Sequence, residues 1–467
     1  MDIFGLSNEE IKQILTTALA GGGDFADLYL EYKEVTGVVC EEDRIENITT
    51  GVDQGAGIRL IEEDRSLYIQ TNDLSLDGLL KAARDIALAN GKQKQTEVKE
   101  FSPQKLQSTQ VKEDPKTVPI SEKTAVVMAA NNVARSYSEK VVQVTVSYVD
   151  TKKDILVANS EGALSKEERI STRFSINVVA RDKDVVQTGF ESQGGILGFE
   201  VARENADKLA RTAAKRAVKM LSAKPAPAGK MPVVMSSEAG GTMVHEACGH
   251  GLEGDLIYHG MSVYAGKLNQ VVASKKVTVI DDATMNGRYG YFAYDDEGTP
   301  AEKTVLIENG VLKQYMTDLY YAKKLGLRPT GNGRRESYSY KPIPRMSTTY
   351  IAPGEDDPTE IINSTQKGLL VTRMGGGQVN TTNGDFVFDV AEGYLIENGE
   401  LGSLVRGAAL IGNGPQVLND IEMVGHDLGF SLGTCGKDGQ GVPVADAQPT
   451  IKIKSLTIGG LIEEEEK

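Results

Sequence analysis

Ser236-Ser237-Glu238-Ala239-Gly240-Gly241-Thr242-Met243-Val244-His245-Glu246-Ala247-Cys248-Gly249-His250-Gly251-Leu252-Glu253-Gly254-Asp255 is the stretch around which the rest of the chain is organised. It holds two of the four histidines and one of the three cysteines. A His-Glu pair followed by a second His presents two imidazole ligands and a general base to a hydrolytic zinc ion. The common spacing sets the imidazoles four residues apart on one helix face. Here His245 and His250 are five apart. In a regular α-helix that spacing turns the second side chain about 140° from the first, so one metal cannot take both. Two local structures reunite them. A π-type turn brings them back towards one face. Alternatively the helix ends at Gly249 and the Gly-His-Gly segment swings His250 round. The pattern also arises by chance, but its neighbourhood speaks for function. Val244, Ala247 and Cys248 make a small, apolar and therefore buried helix, and a buried His or Glu needs a partner.

Working outward, residues 223–230 (Ala-Lys-Pro-Ala-Pro-Ala-Gly-Lys) read as a linker by composition. Beyond it, apart from the motif helix and a short helix near residues 360–367, strands and turns dominate. Ile307-Glu308-Asn309-Gly310-Val311-Leu312 recurs as Ile396-Glu397-Asn398-Gly399-Glu400-Leu401. Each is a type I′ Asn-Gly hairpin between strand formers. Residues 231–467 are therefore expected to form a mainly antiparallel β domain carrying one catalytic helix. Glu463 to Glu466 reads as a solvated acidic tail.

The preceding half reads as α+β. Ser7 to Glu10 is a capping box, and Ile11, Ile14, Leu15 and Ala18 follow at helical spacing. Four strands are expected over residues 26–32, 37–40, 57–62 and 66–70, then a helix over 75–89. Residues 91–120 form a polar connector. The outline repeats as a helix over 121–138, strands over 141–149, 155–158, 169–180 and 185–190, and a helix over 199–221. The predicted fold class is α+β, with a repeated helix–four strands–helix pattern over residues 1–90 and 121–222. Neither unit carries a ligand constellation, so both read as scaffold, interface or gate.

The net charge of −15 repels phosphate backbones, which argues against nucleic acid as a partner. No apolar run reaches membrane-spanning length, and Met1 to Leu6 lacks a basic segment before a hydrophobic one. A cytoplasmic protein is expected. Cys40, Cys248 and Cys435 are too widely spaced for a disulfide framework. Fifty glycines, crowded into the C-terminal half, point to tight turns there.

A catalytic zinc takes three protein ligands and keeps one open position. Beyond His245 and His250 the candidates are Cys435, Cys248, Glu253, Asp255, His259 and His426. Cys248, two residues from His250, suits packing. Glu253 and Cys435, the latter read in a glycine-flanked loop, are close alternatives on chemistry alone. Glu246 points away from the ligand direction, as suits a base that takes a proton from the attacking water.

His-Glu-Ala-Cys-Gly-His-Gly-Leu-Glu-Gly-Asp resembles the signature of the TldD/PmbA family of metalloproteases, in its TldD-type catalytic form. Two further blocks agree: Gly333-Arg334-Arg335-Glu336-Ser337-Tyr338 with Pro344-Arg345-Met346, and Gly433-Thr434-Cys435-Gly436-Lys437-Asp438-Gly439-Gln440. The similarity runs essentially end to end. It implies one zinc ion per chain held by His245, His250 and Cys435, with iron as the alternative metal and Glu246 as the catalytic base. It also implies a closed dimer, either a homodimer or a heterodimer with a PmbA/TldE-type subunit, that admits unfolded or small peptides. Arg334, Arg335, Tyr338 and Arg345 are candidates for substrate binding or oxyanion support, against a role in scaffold ion pairs. Gly375 to Gln378 and Gly412 to Gly414 could offer backbone to an extended peptide. Competing readings are a metal-dependent amide hydrolase other than a peptidase, and a regulatory binding protein of the gyrase-modulator type.

Overall fold

The computed structural model describes residues 4–92 and 96–460, so the acidic run at Glu463–Glu466 lies outside the described residues. In the N-terminal half the chain runs α1 (Asn8–Leu19), β1 (Phe25–Glu41), β2 (Arg44–Glu62), β3 (Arg65–Thr71) and α2 (Leu76–Asn90). It continues as α3 (Ile120–Arg135), β4 (Val141–Asn159), β5 (Ala163–Asp182), β6 (Val185–Gly195) and α4 (Glu200–Met220). The α+β class and the repeat stand, but each unit has three strands where four were expected. Segments 26–32 and 37–40 are one strand, as are 141–149 and 155–158. Their polar middles stay extended because β1 is paired on both sides, to β2 and to β4. Glu42 and Asp43, both with positive φ (49° and 61°), turn the β1–β2 hairpin without a glycine. The capping box forms as read, with Glu10 N–H donating to Ser7 Oγ and Ser7 N–H to Glu10.

The two units share one sheet, in the order β3-β2-β1-β4-β5-β6. The seam is the antiparallel β1–β4 ladder from Asp27↔Asn159 to Glu41↔Thr145. Leu28, Leu30, Val38 and Cys40 share one face of β1, as period-2 alternation requires, and all four are buried. The first two pack with α1 and α2, the last two with α3 and α4. The opposite face turns Tyr29, Ile155 and Val157 towards Tyr338 of the C-terminal half. The expected connector contributes Ser102–Pro103 and Gln107–Ser108, which pair in parallel with β5.

The C-terminal half is mainly antiparallel. Five of its strands close on themselves: Lys367–Val379, Gly229–Met235, Ile451–Gly459, Ala409–Asn413, Asp385–Glu397 and back to the first. A six-stranded sheet lies beside this ring and ends at the Gly429–Lys437 strand. Both Asn-Gly hairpins form with positive φ at both residues, as type I′ demands. Residues 223–230 are less free than their composition suggests, because Lys224–Pro225 pairs with Val405–Arg406 and Ala226 is buried. Three short helices, Gly254–Tyr258, Leu319–Leu325 and Gly414–Asn419, escape periodicity because each spans two turns or fewer. Among the described residues no helix is long and apolar enough to cross a membrane.

Candidate metal centre

After Gly241 the chain makes one α-helical turn, Thr242–Val244, and then a π-helix, His245–Gly249. The His250 N–H donates to His245 O, the i to i+5 bond that defines the π form. One residue is thereby added to the turn, and the two imidazoles come together with ring centroids 5.1 Å apart. The turn is braced from outside. Tyr264 Oη donates to Ala247 O at 3.0 Å. A Cβ at Gly414 would lie 2.2 Å from that same carbonyl oxygen.

Cys435 completes the group. It lies on the Gly429–Lys437 edge strand rather than in a loop, because its ladder with Gln440–Gln448 runs through to Lys437↔Gln440. Ligand atoms of His245, His250 and Cys435 all lie within 4.8 Å of one another. The Cys435 sulfur is 3.3 Å from His250 Nε2. Burial alone would raise this thiol, but its contacts with His245 and His250 overcome that and bring it down to about 5. By contrast, burial pushes Cys248 up to about 12, and its sulfur donates to Val244 O.

The sequence offered Glu253 as a ligand, and the structure gives it another role. Glu253 is fully buried and takes the far nitrogen of His250, Nδ1, at 3.0 Å. A carboxylate behind a ligating imidazole fixes its tautomer and ring orientation. Burial disfavours the Glu253 charge, but Lys437 at 3.0 Å, His250 and Arg345 hold its carboxyl down at about 2. Lys437 also pairs with Asp255 at 2.9 Å, so Asp255 too sits behind the centre. Arg345, fully buried, donates to Cys435 O and thereby anchors the thiol-bearing strand. Asp446 Oδ2 stands 3.9 Å from His245 Nδ1. Lys437 and Asp446 were not singled out, since nothing in a lone charge signals that it stands behind a histidine.

His245, Glu246, His250 and Cys435 line a cleft of about 520 Å³ together with Gln378, Thr381 and Asp446. Burial raises the Glu246 carboxyl, and the two histidines pull it only part of the way back. Arg334, Arg335 and Tyr338 do not line this cleft. Arg334 donates to Met346 O and Pro443 O. Arg335 stacks over Tyr29 at 4.3 Å and donates to Asp296 O, while Tyr338 Oη donates to Asp53. The Tyr29 and Asp53 contacts join the two halves of the chain, and the others brace the C-terminal half. Gly377 and Gln378 line the cleft, Gly375 and Gly376 line the groove beside it, and Gly414 packs against the helix. His259 contacts Tyr321, and His426 contacts Asp357 at the surface.

Two imidazoles and a low-pKa thiol within reach of one ion, beside the half-buried Glu246 carboxyl in an open cleft, define a metal-dependent hydrolase. Residues 26–90, 113–221 and 228–460 match, in order, the family models for PmbA/TldA metallopeptidase domain 1, central domain and C-terminal domain. A Buchnera aphidicola relative, a metalloprotease TldD homolog, is 36% identical over 98% of this chain and 97% of its own length. The chain belongs to the TldD/PmbA family of metallopeptidases and is a peptide-bond hydrolase. Two solved structures share its fold. A Thermotoga maritima protein described as a proposed modulator of a DNA gyrase superposes with a TM-score of 0.80 at 22% identity, over 97% of this chain and all of that one. TldE from Thermococcus kodakarensis superposes at 0.76 and 20% identity, over 97% and 100%.

Proposed function

We propose that this chain is the catalytic subunit of a zinc peptidase that hydrolyses unfolded or short peptides inside an enclosed dimer in the cytoplasm. The observation that carries the reading is the π turn, which gathers His245 and His250 against Cys435. The donor set fits zinc: two imidazole nitrogens and a thiol already drawn towards its anionic form suit a borderline-soft ion. Zinc bound there would acidify water and polarise a carbonyl. Glu246 takes the proton of the attacking water and passes it to the departing amine, and its raised carboxyl pKa favours both transfers. The Gly429–Lys437 strand is an edge of its sheet and borders the cleft, which supports backbone pairing with an extended peptide and hence weak sequence preference.

The likeness to TldE supports a heterodimer with a TldE-type subunit, and a homodimer is the other form. A second reading, a regulatory binding protein of the gyrase-modulator type, draws on the Thermotoga likeness. Pure binding leaves Glu246 without a task. One purified sample decides between them. It should contain one zinc (or iron) per chain, degrade an unfolded protein at several unrelated sites and spare its folded form. Equal rates on both forms would exclude enclosure, and a metal-bearing sample inert towards every peptide would favour the regulatory reading.

A further inference from the structure

A second, larger depression of about 790 Å³ adjoins the catalytic cleft, and Thr242, Ser431 and Leu432 line both. It runs between the two halves of the chain, with β6 and α4 on one side and the Arg373–Gly376 segment on the other. Its charge is unlike that of the molecule. The whole chain carries −15, yet the groove is lined by Lys208, Arg216, Arg288 and Arg373 against the single carboxylate of Glu191. Glu191 pairs with Arg216 and, at 2.9 Å, with Arg373, while Glu392 also holds Arg216 at 2.8 Å. Lys208 and Arg288 are exposed and have no carboxylate partner among the described residues. Arg288 is nonetheless held in place, its guanidinium 3.4 Å from the Phe430 ring centroid. The groove wall is also open at the backbone. The Lys367–Val379 ladder slips between Met374 and Gly377, so Gly375 and Gly376 bulge out of it. A Cβ at Gly376 would meet only open space. Bulges of this kind re-aim a strand beside active sites.

We propose that this groove receives an acidic segment of the peptide whose scissile bond lies at Glu246, so that Arg288 and Lys208 select for Asp or Glu to one side of the cut. The inference rests on the peptidase reading for the continuity of the chain through both depressions. Its charge argument stands apart, because unpaired cations in a concave wall concentrate field and favour anionic partners.

The test is binding without turnover. The Glu246→Gln protein is titrated with fluorescent Ala/Ser/Gly peptides that carry a run of Asp or of Lys at one end or the other. The Asp form should bind about tenfold tighter than its Lys counterpart, the scale of one or two partly exposed charge pairs. Added salt should shrink that advantage. The double variant Arg288→Glu with Lys208→Glu should abolish or reverse it, both residues being exposed and outside the packed core. Equal binding of the two peptides, or a preference that survives the double substitution, would overturn the proposal. Because nothing is cleaved in this assay, an inert native chain would defeat the peptidase reading while the titration still decides the groove.

Discussion

Replacing Glu246 by Gln removes the proton acceptor and leaves His245, His250 and Cys435 untouched. The variant should keep its metal and lose peptide hydrolysis by about two to four orders of magnitude, read by metal analysis and turnover on one preparation. Loss of metal would instead make Glu246 a ligand. The three cysteines give a second residue-scale test. With metal stripped, the Cys435 thiol, held near 5, is largely thiolate at pH 6.5, while burial keeps Cys40 raised and Cys248 at about 12. A thiol alkylating agent should therefore modify Cys435 selectively, increasingly as pH rises through about 5, and added zinc should block it. Uniform labelling, or no protection by zinc, would separate Cys435 from the metal. At this scale the sequence was legible where residue types are scarce: two histidines in a small-residue helix announce themselves. The backing groups were not legible. Glu253 looks like a ligand in sequence, and only the fold reveals that it meets the far side of His250 while Lys437, distant in the chain, neutralises it.

Among the elements, spacing foretold an irregular helix, a π turn or a break, since no regular helix can aim residues five apart at one ion; the π turn is the form adopted. It packs against the short helix at Gly414, which the periodicity missed. Gly414→Ala would set a methyl 2.2 Å from the backbone oxygen of Ala247, so the helix must yield. The expected cost is about 1–3 kcal/mol of stability, with a larger loss when metal is present than when it is absent. Denaturation with and without zinc measures the difference. An equal loss in both would mean that the turn is not strained by the change. The strand miscounts have a common cause. Stretches such as Lys152-Lys153-Asp154 look like breaks, yet a central strand with partners on both sides stays extended wherever its neighbours do. The Asn-Gly hairpins were legible because two adjacent positive φ values are a demand few residue pairs meet.

For the whole molecule, Arg59 is the joint between halves. Its guanidinium meets Asp27 and, at 2.5 Å, Glu297, all three fully or almost fully buried. Arg59→Ala would leave Glu297 buried without its cation and Asp27 with Arg335 alone, at 3.7 Å, at an expected cost of about 3–5 kcal/mol in chemical denaturation. A change below about 1 kcal/mol would mean that water or rearrangement already serves them. Such long-range joints carry no local signal, and so the sequence disclosed two α+β units but not how firmly they clasp the catalytic half. The closed ring of strands has a consequence in time. Ile451–Gly459 pairs with Gly229–Met235, with Ala409–Asn413 and with Ile421–Val424, so it is a central stave of that ring. A ribosome releases residues 245 and 250 long before it releases residues 451–459. Until those nine have emerged, the ring stays open and the helix beside it has no finished wall to pack against. The ring can therefore close only after both histidines and Cys435 have been made, so the helix gains its finished surroundings late in synthesis.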